Sequence, residues 1–269
     1  MTPVRLGAVA YLNARPLVEG LDRDPGRFAV RFDAPARCAA LLHAGEIDVG
    51  LIPSIEYLRG ADYRIVPGVS LASNGPVASV ALFTSRPLGG VRTIATDTSS
   101  RTSVALLHVL CARSFGIAPR IEAMAPDLET MLARADAALL IGDPALYLDH
   151  QGRGLEKIDL GQSWTTLTGL PFVWAFWVGR RHAIDAAGVA ALQAAKAAGV
   201  AASDAIADAY CGPERAAIGR CYLRESMRYG LGPDERAGLE RFYELAVAEG
   251  LVDAGGRARG APPTSLHFF

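Results

Sequence analysis

Lysine is nearly absent: of 27 basic residues only Lys157 and Lys196 are lysine and the rest are arginine. With the heavy alanine content, this reads as coding bias rather than function. Net charge is equally scarce, −1 from 27 basic and 28 acidic side chains, so the chain carries no electrostatic footprint for DNA or RNA and no basic tail. No apolar run approaches the ~20 residues that span a bilayer, and no membrane partner is expected. The N-terminus lacks a basic region followed by an apolar stretch and a small-residue cleavage site. Instead VRLGAVAYLN enters a first strand directly, and a cytoplasmic location is expected. Cys38, Cys111, Cys211 and Cys221 form no CxxC pair and have no His at ligand spacing, which argues against structural zinc. A chain of 269 residues does not need disulfide staples. Reduced thiols are expected, with Cys38 and Cys111 packed on amphipathic helices.

Catalytic signatures are missing too. There is no Gly-rich phosphate loop, no GxSxG elbow and no HExxH. His43, His108, His150, His182 and His267 join no recognisable constellation, and the first two lie in predicted helices, where a lone His is ordinarily packed or solvated. Nucleophilic and metal catalysis are therefore poorly supported, and no cofactor or metal is expected.

What is present is apolar substance, 51% hydrophobic against 20% charged residues, enough to bury a sizeable core in one large domain or two small ones. Strand-like and helix-like segments alternate, which predicts α/β architecture. The spacing predicts strands at Val4–Ala10, FAVRFD, Ile47–Ile52, YRIVPGVSLAS, VRTIATD and ADAALLIGD. Helices are predicted at LVEGLD, over PARCAALLHA with Gly45 at its C-terminus, from Thr102 to Phe115, and near LETMLARA. From Ala183 the pattern turns helical as far as Val252, and the tail from Asp253 is expected to wander over the surface. Two long apolar runs, Val77–Ser85 and Phe172–Val178, read as crossings between two α/β halves. The expected fold class is thus α/β with two lobes, two hinge crossings and a ligand cleft between them. Residues 1–84 and 179–269 make the first lobe, and residues 85–178 make a second lobe inserted in it. The polar strand ends YLN, IPS, TDTSSRTS and IGD should converge on that cleft.

In DTSSRTS, Asp97 to Ser103, one hydroxyl would suffice to cap the following helix. Five hydroxyls with Arg101, at the positive end of a helix dipole, also fit a carboxylate site. Asn13 reads either as a helix cap or as an amide that orients a substrate oxygen, and Ser54 has the same ambiguity. SNGPVAS, Ser73 to Ser79, is strong turn chemistry. Asp143 ends an apolar strand as a base or as a cap. Trp164, Trp174 and Trp177 read mainly as packing, with room for one to line the cleft.

The motifs YLNARPL, GEIDVGLIPSIEY, SNGPVASV, DTSSRTSVALLHVL, ALLIGDPAL and GQSWTTLTGLPFVWAFW stand in this order in the chain. Their order resembles the MqnA family, the chorismate dehydratases of the futalosine route to menaquinone. The resemblance runs from Val4 to Val252 and includes the late segment CYLRESMRYGLGPDERAGLERFYELAVAEGLV. It implies a fold like a type II periplasmic binding protein. It also implies a dicarboxylate substrate, chorismate, that loses water to give 3-[(1-carboxyvinyl)oxy]benzoate. By this resemblance Asn13 and Ser79 lie nearest the chemistry, and Ser99, Arg101, Thr102 and Ser103 hold a carboxylate, with Ser54 as a further anion contact. Asp143 is one candidate for the proton acceptor; a carboxylate of the substrate itself is the other. The alternatives are a relative that forms dihydroxynaphthoate, expected to carry a His near the IGD position where this chain has none, and a non-catalytic small-anion-binding protein of the same fold.

Overall fold

The computed structural model describes residues 2–60, 62–252 and 265–269. Its strands are β1 (Val4–Val9), β2 (Phe28–Asp33), β3 (Val49–Pro53), β4 (Tyr63–Ser73), β5 (Val80–Thr84), β6 (Thr93–Asp97), β7 (Arg120–Met124), β8 (Ala137–Ile141), β9 (Glu156–Asp159) and β10 (Phe172–Arg180). The sequences of β3 and β8 are apolar throughout, β5 is apolar up to Thr84, and every residue in the three is buried, as strands covered on both faces require.

Two five-stranded sheets result, in the orders β2-β1-β3-β10-β4 and β7-β6-β8-β5-β9. In the first, β1 pairs in parallel with β2 and β3, while β10 runs antiparallel to β3 and β4. The second repeats the plan, with β6 parallel to β7 and β8 and β5 antiparallel to β8 and β9. The two apolar runs read as crossings are therefore mostly ladder strands. On the outward pass β5 joins the second sheet, and on the return β10 joins the first. The chain passes between the sheets at 74–79 and 169–171.

The helices are α1 (Pro35–Ala44), α2 (Thr102–Leu110), α3 (Leu128–Leu132), α4 (Asp143–Leu146), α5 (Leu160–Thr168), α6 (Ala186–Ala201), α7 (Ser203–Cys211), α8 (Ala216–Cys221) and α9 (Pro233–Ala248). Helix α1 opens on Pro35 and closes on Gly45, whose φ of 74° lets its N–H reach the carbonyls of Leu41 and Leu42. Helix α2 is apolar nearly all round and is correspondingly buried, then continues as a π turn over Cys111–Phe115. The C-terminal helices return to the first sheet, α6 against β4 and α9 against β10. Trp164 of α5, Phe172 of β10 and Phe242 of α9 meet edge to face with centroids 4.9–6.2 Å apart. This aromatic knot anchors the second crossing to both sheets. All four cysteines are free thiols, and Cys38 and Cys111 are buried.

Several local expectations need correction. No helix forms over LVEGLD; the chain makes a 3₁₀ turn at Leu12–Leu17 and a shorter one at Leu21–Arg23. Pro16 sits near the end of the first turn, so Asn13 lies inside a turn and is not a cap. The third strand runs from Val49 to Pro53, two residues later than expected at its start. Strand β9, a four-residue edge strand, and the four-residue helix α4 are too short to show a period, and the nine-residue helix α5 was not read from the sequence either. The expectation for the tail falls largely on residues 253–264, outside the described residues. Beyond them the chain end is docked: Phe268 bridges Ile65 of β4. Among the described residues no helix is long and apolar enough to cross a membrane.

Candidate active site

Strands β1, β3, β6 and β8 all end at one cavity between the two sheets, where open parallel sheets ordinarily bind ligands. About 540 Å³ of non-atom space lies there, open solvent included. Each polar strand end named above reaches it: Tyr11 and Asn13 after β1, Pro53 closing β3, Ser100–Ser103 after β6, and Gly142 after β8. Ser79, just before β5, and Trp174, on β10, complete the polar and aromatic lining. Trp174 is anchored by its Nε1–H to Ser73 Oγ at 3.1 Å, whereas Trp164 and Trp177 are core residues.

Helix α2 aims its N-terminus at this space, and no side chain caps it. Ser99 turns back instead, donating from both N–H and Oγ to Asp97 Oδ1 at 2.8 and 2.7 Å. That leaves first-turn N–H groups and the positive end of the dipole facing the cavity. Thr102 Oγ1 accepts the Ile55 N–H at 3.2 Å, tying the helix start to the first lobe. Arg101 lines the cavity while its guanidinium donates to Glu56 at 2.8 Å. Glu56 is almost fully buried and also meets His43 at 2.9 Å and Arg59 at 2.5 Å. Burial pushes its carboxyl up, but the His43 hydrogen bond and the two guanidinium groups outweigh that and hold it below the ordinary carboxylate value.

On the opposite wall, Ser79 Oγ and the Tyr222 hydroxyl are 2.6 Å apart, both buried. Asn13 lines the same wall, its Oδ1 buried without a hydrogen-bond partner. Ser79 owes its place to a constrained turn. Ala78 takes φ of 63°, a conformation rare outside glycine, and Asp159 holds it by accepting the N–H groups of Val77 and Ala78. Lys157 Nζ closes the cradle on the Ala78 carbonyl at 2.7 Å. The turn chemistry of SNGPVAS was thus legible, but its function is to present Ser79.

Three expected site residues lie off the lining: Ser99, turned back onto Asp97, and Ser54 and Asp143. Ser54 is fully buried behind the cavity, where Oγ donates to the Val173 carbonyl at 2.7 Å and its own carbonyl accepts from Tyr243. It buttresses Thr102 rather than facing a ligand. Asp143 begins α4 outside the lining, accepting the Leu12 N–H at 3.3 Å and the Tyr210 hydroxyl. Its carboxylate ties the second lobe to the first and to α7. Gly142 beside it is required by φ of 66° and by Tyr11, whose ring would lie 2.9 Å from any Cβ. Reasoning from sequence singled out none of Tyr11, Glu56 and Tyr222: all three sit within the quoted motifs, but no spacing marks them.

The chain's similarity to known proteins agrees with this geometry. A family model described as menaquinone biosynthesis matches residues 4–248. A relative from Thermus thermophilus named chorismate dehydratase is 33% identical over 264 residues, covering 91% of this chain and 95% of its own. Among solved structures, protein AF1704 from Archaeoglobus fulgidus superposes with a TM-score of 0.75 at 18% identity, covering 93% of this chain and 99% of that one. The periplasmic aliphatic sulphonate binding protein SsuA from Escherichia coli superposes at 0.67 and 18% identity, covering 94% and 89%. These two likenesses establish a periplasmic-binding-protein-like fold.

Proposed function

The chain belongs to the menaquinone biosynthesis family, and we propose that within it the chain is a chorismate dehydratase, a lyase that eliminates water from chorismate to give 3-[(1-carboxyvinyl)oxy]benzoate on the futalosine route. The observation that carries this reading is the cavity's composition. An uncapped helix N-terminus with Arg101 faces the Asn13–Ser79 pair across an otherwise apolar space. Among the described residues its lining contains no carboxylate, imidazole, amine or thiol.

Chorismate has two carboxylates, an ether and one hydroxyl. One carboxylate is held by the α2 start, through Arg101, Thr102 and Ser103. Asn13 and Ser79 then meet the ring hydroxyl. In the reaction the C–H bond beside the enolpyruvyl ether breaks, its electron pair forms the new ring double bond, and the neighbouring C–O bond breaks. The departing hydroxide leaves with one proton as water, and the ring becomes aromatic. Aromatisation supplies the driving force, so positioning and hydrogen bonding of the leaving oxygen suffice in place of a strong protein base. Since the lining has no base and Asp143 is committed elsewhere, the substrate's own enolpyruvyl carboxylate takes the ring proton and returns it as the departing hydroxide becomes water, so that the carboxylate ends ionised. The absence of His at Gly142–Asp143 disfavours the naphthoate-forming alternative.

The test is incubation of the purified chain with chorismate, following loss of one water by mass and the rise of benzoate absorbance. Unchanged chorismate, with a different small anion recovered from the protein, would turn the assignment toward a binding protein.

A further inference from the structure

Tyr222 lies far from the cleft in sequence, directly after α8, yet its hydroxyl stands behind the polar wall against Ser79. The phenol is completely buried, and burial pushes its ionisation well above the ordinary tyrosine value, so the proton stays on oxygen. Ser79 Oγ meets that oxygen at 2.6 Å. When the phenol gives its single proton to Ser79, the Ser79 proton is free for the cavity. Asn13, on the same wall, has its carbonyl oxygen buried with no hydrogen-bond partner.

We propose that Tyr222 is a positioning residue for the elimination: it fixes the direction of the Ser79 O–H so that Ser79 donates to the departing ring hydroxyl, while the neighbouring Asn13 carbonyl accepts from it. The inference rests on the proposed dehydratase reading and extends it to the C-terminal helices. The Ser79 donor points at the oxygen that takes on charge as the C–O bond breaks, while the Asn13 acceptor holds that hydroxyl's proton in the ground state. Preset donors of this kind contribute chiefly to the chemical step and little to binding. Helix α8 and the turn after it are therefore part of the site although none of their residues lines the cavity.

Tyr222→Phe keeps ring and volume and removes only the hydroxyl. With chorismate as substrate, we expect kcat to fall about 10–100-fold with KM within about twofold, and the melting temperature to stay within a few degrees. Because Tyr222 acts through Ser79, the double variant Ser79→Ala/Tyr222→Phe should be no more than about threefold slower than Ser79→Ala alone. Tyr222→4-aminophenylalanine, which restores a donor at the same place, should recover at least a third of wild-type kcat. It also serves as the test variant if Tyr222→Phe does not fold, and a folded but inactive form of it would overturn the inference. Wild-type turnover with Tyr222→Phe equal to it, or full additivity in the double variant, would overturn the positioning role alone. A wild-type protein that leaves chorismate unchanged would overturn the dehydratase reading, and this inference with it.

Discussion

Glu56→Gln tests how the α2 start is held against the first lobe. The wild-type carboxylate is buried, its side chain 1% exposed, and it bridges Arg101 of the second lobe to His43 and Arg59 of the first. Removing one partner of a buried charge cluster costs about 3–5 kcal/mol when the others cannot reach water. Here Arg59, Arg101 and His43 are 44%, 35% and 30% exposed, so they regain hydration, and the expected loss is about 2–3 kcal/mol. For a chain of this size that lowers the melting temperature by about 5–10 °C. The pH dependence follows from the depressed carboxyl of Glu56. A carboxylate whose folded value lies below its unfolded value stabilises fully above the unfolded value and loses that contribution as pH falls through the folded one. The gap between wild type and variant is thus full at pH 7 and narrows below about pH 4.5. Freed from Glu56, Arg101 no longer has a fixed direction, so KM for chorismate rises several-fold. Thermal melts of both proteins at neutral and acid pH, with steady-state kinetics at pH 7, provide the readout. Equal melting temperatures at pH 7, or a gap that widens on acidification, would refute the reasoning.

Asp143→Asn keeps an acceptor for Leu12, so kcat should stay within about threefold of wild type; a hundredfold loss with chorismate still bound would restore Asp143 as the base. Asn13→Ala should lower kcat/KM at least about a hundredfold, and an unchanged value would remove Asn13 from the site. Gly142→Ala combines φ of 66° with a Cβ 2.9 Å from the Tyr11 ring, so it should cost about 1–3 kcal/mol in chemical denaturation and weaken chorismate binding.

The fold was legible where apolar runs are long. VRLGAV, AALLI and FVWAFWV specify buried strands, and Pro35 with Gly45 bounds α1 without ambiguity. What could not be read is which sheet each crossing run joins, because β5 and β10 are apolar and buried on both faces over nearly their whole length and their partners are distant in sequence. The hydroxyl cluster at Ser100–Ser103 was visible as an excess over capping needs. Ser54 and Asp143 looked equivalent to real site residues, since each follows an apolar strand and carries a polar group. Only the three-dimensional arrangement shows Ser54 hydrogen-bonded behind the wall and Asp143 pointing toward α7. Tyr222 was invisible for the opposite reason: a tyrosine in a C-terminal helical stretch looks like packing until its oxygen is found on Ser79.

The central claim is that this cleft eliminates water from chorismate while leaving the enolpyruvyl group attached. Chorismate carrying deuterium on the ring carbon that bears the ether, mixed with excess protein and read by proton NMR and mass, tests it directly. The account predicts a meta-substituted benzoate that keeps both vinyl protons and has lost the deuterium with one water. Release of pyruvate, retention of the deuterium in a rearranged ring, or unchanged chorismate would contradict it.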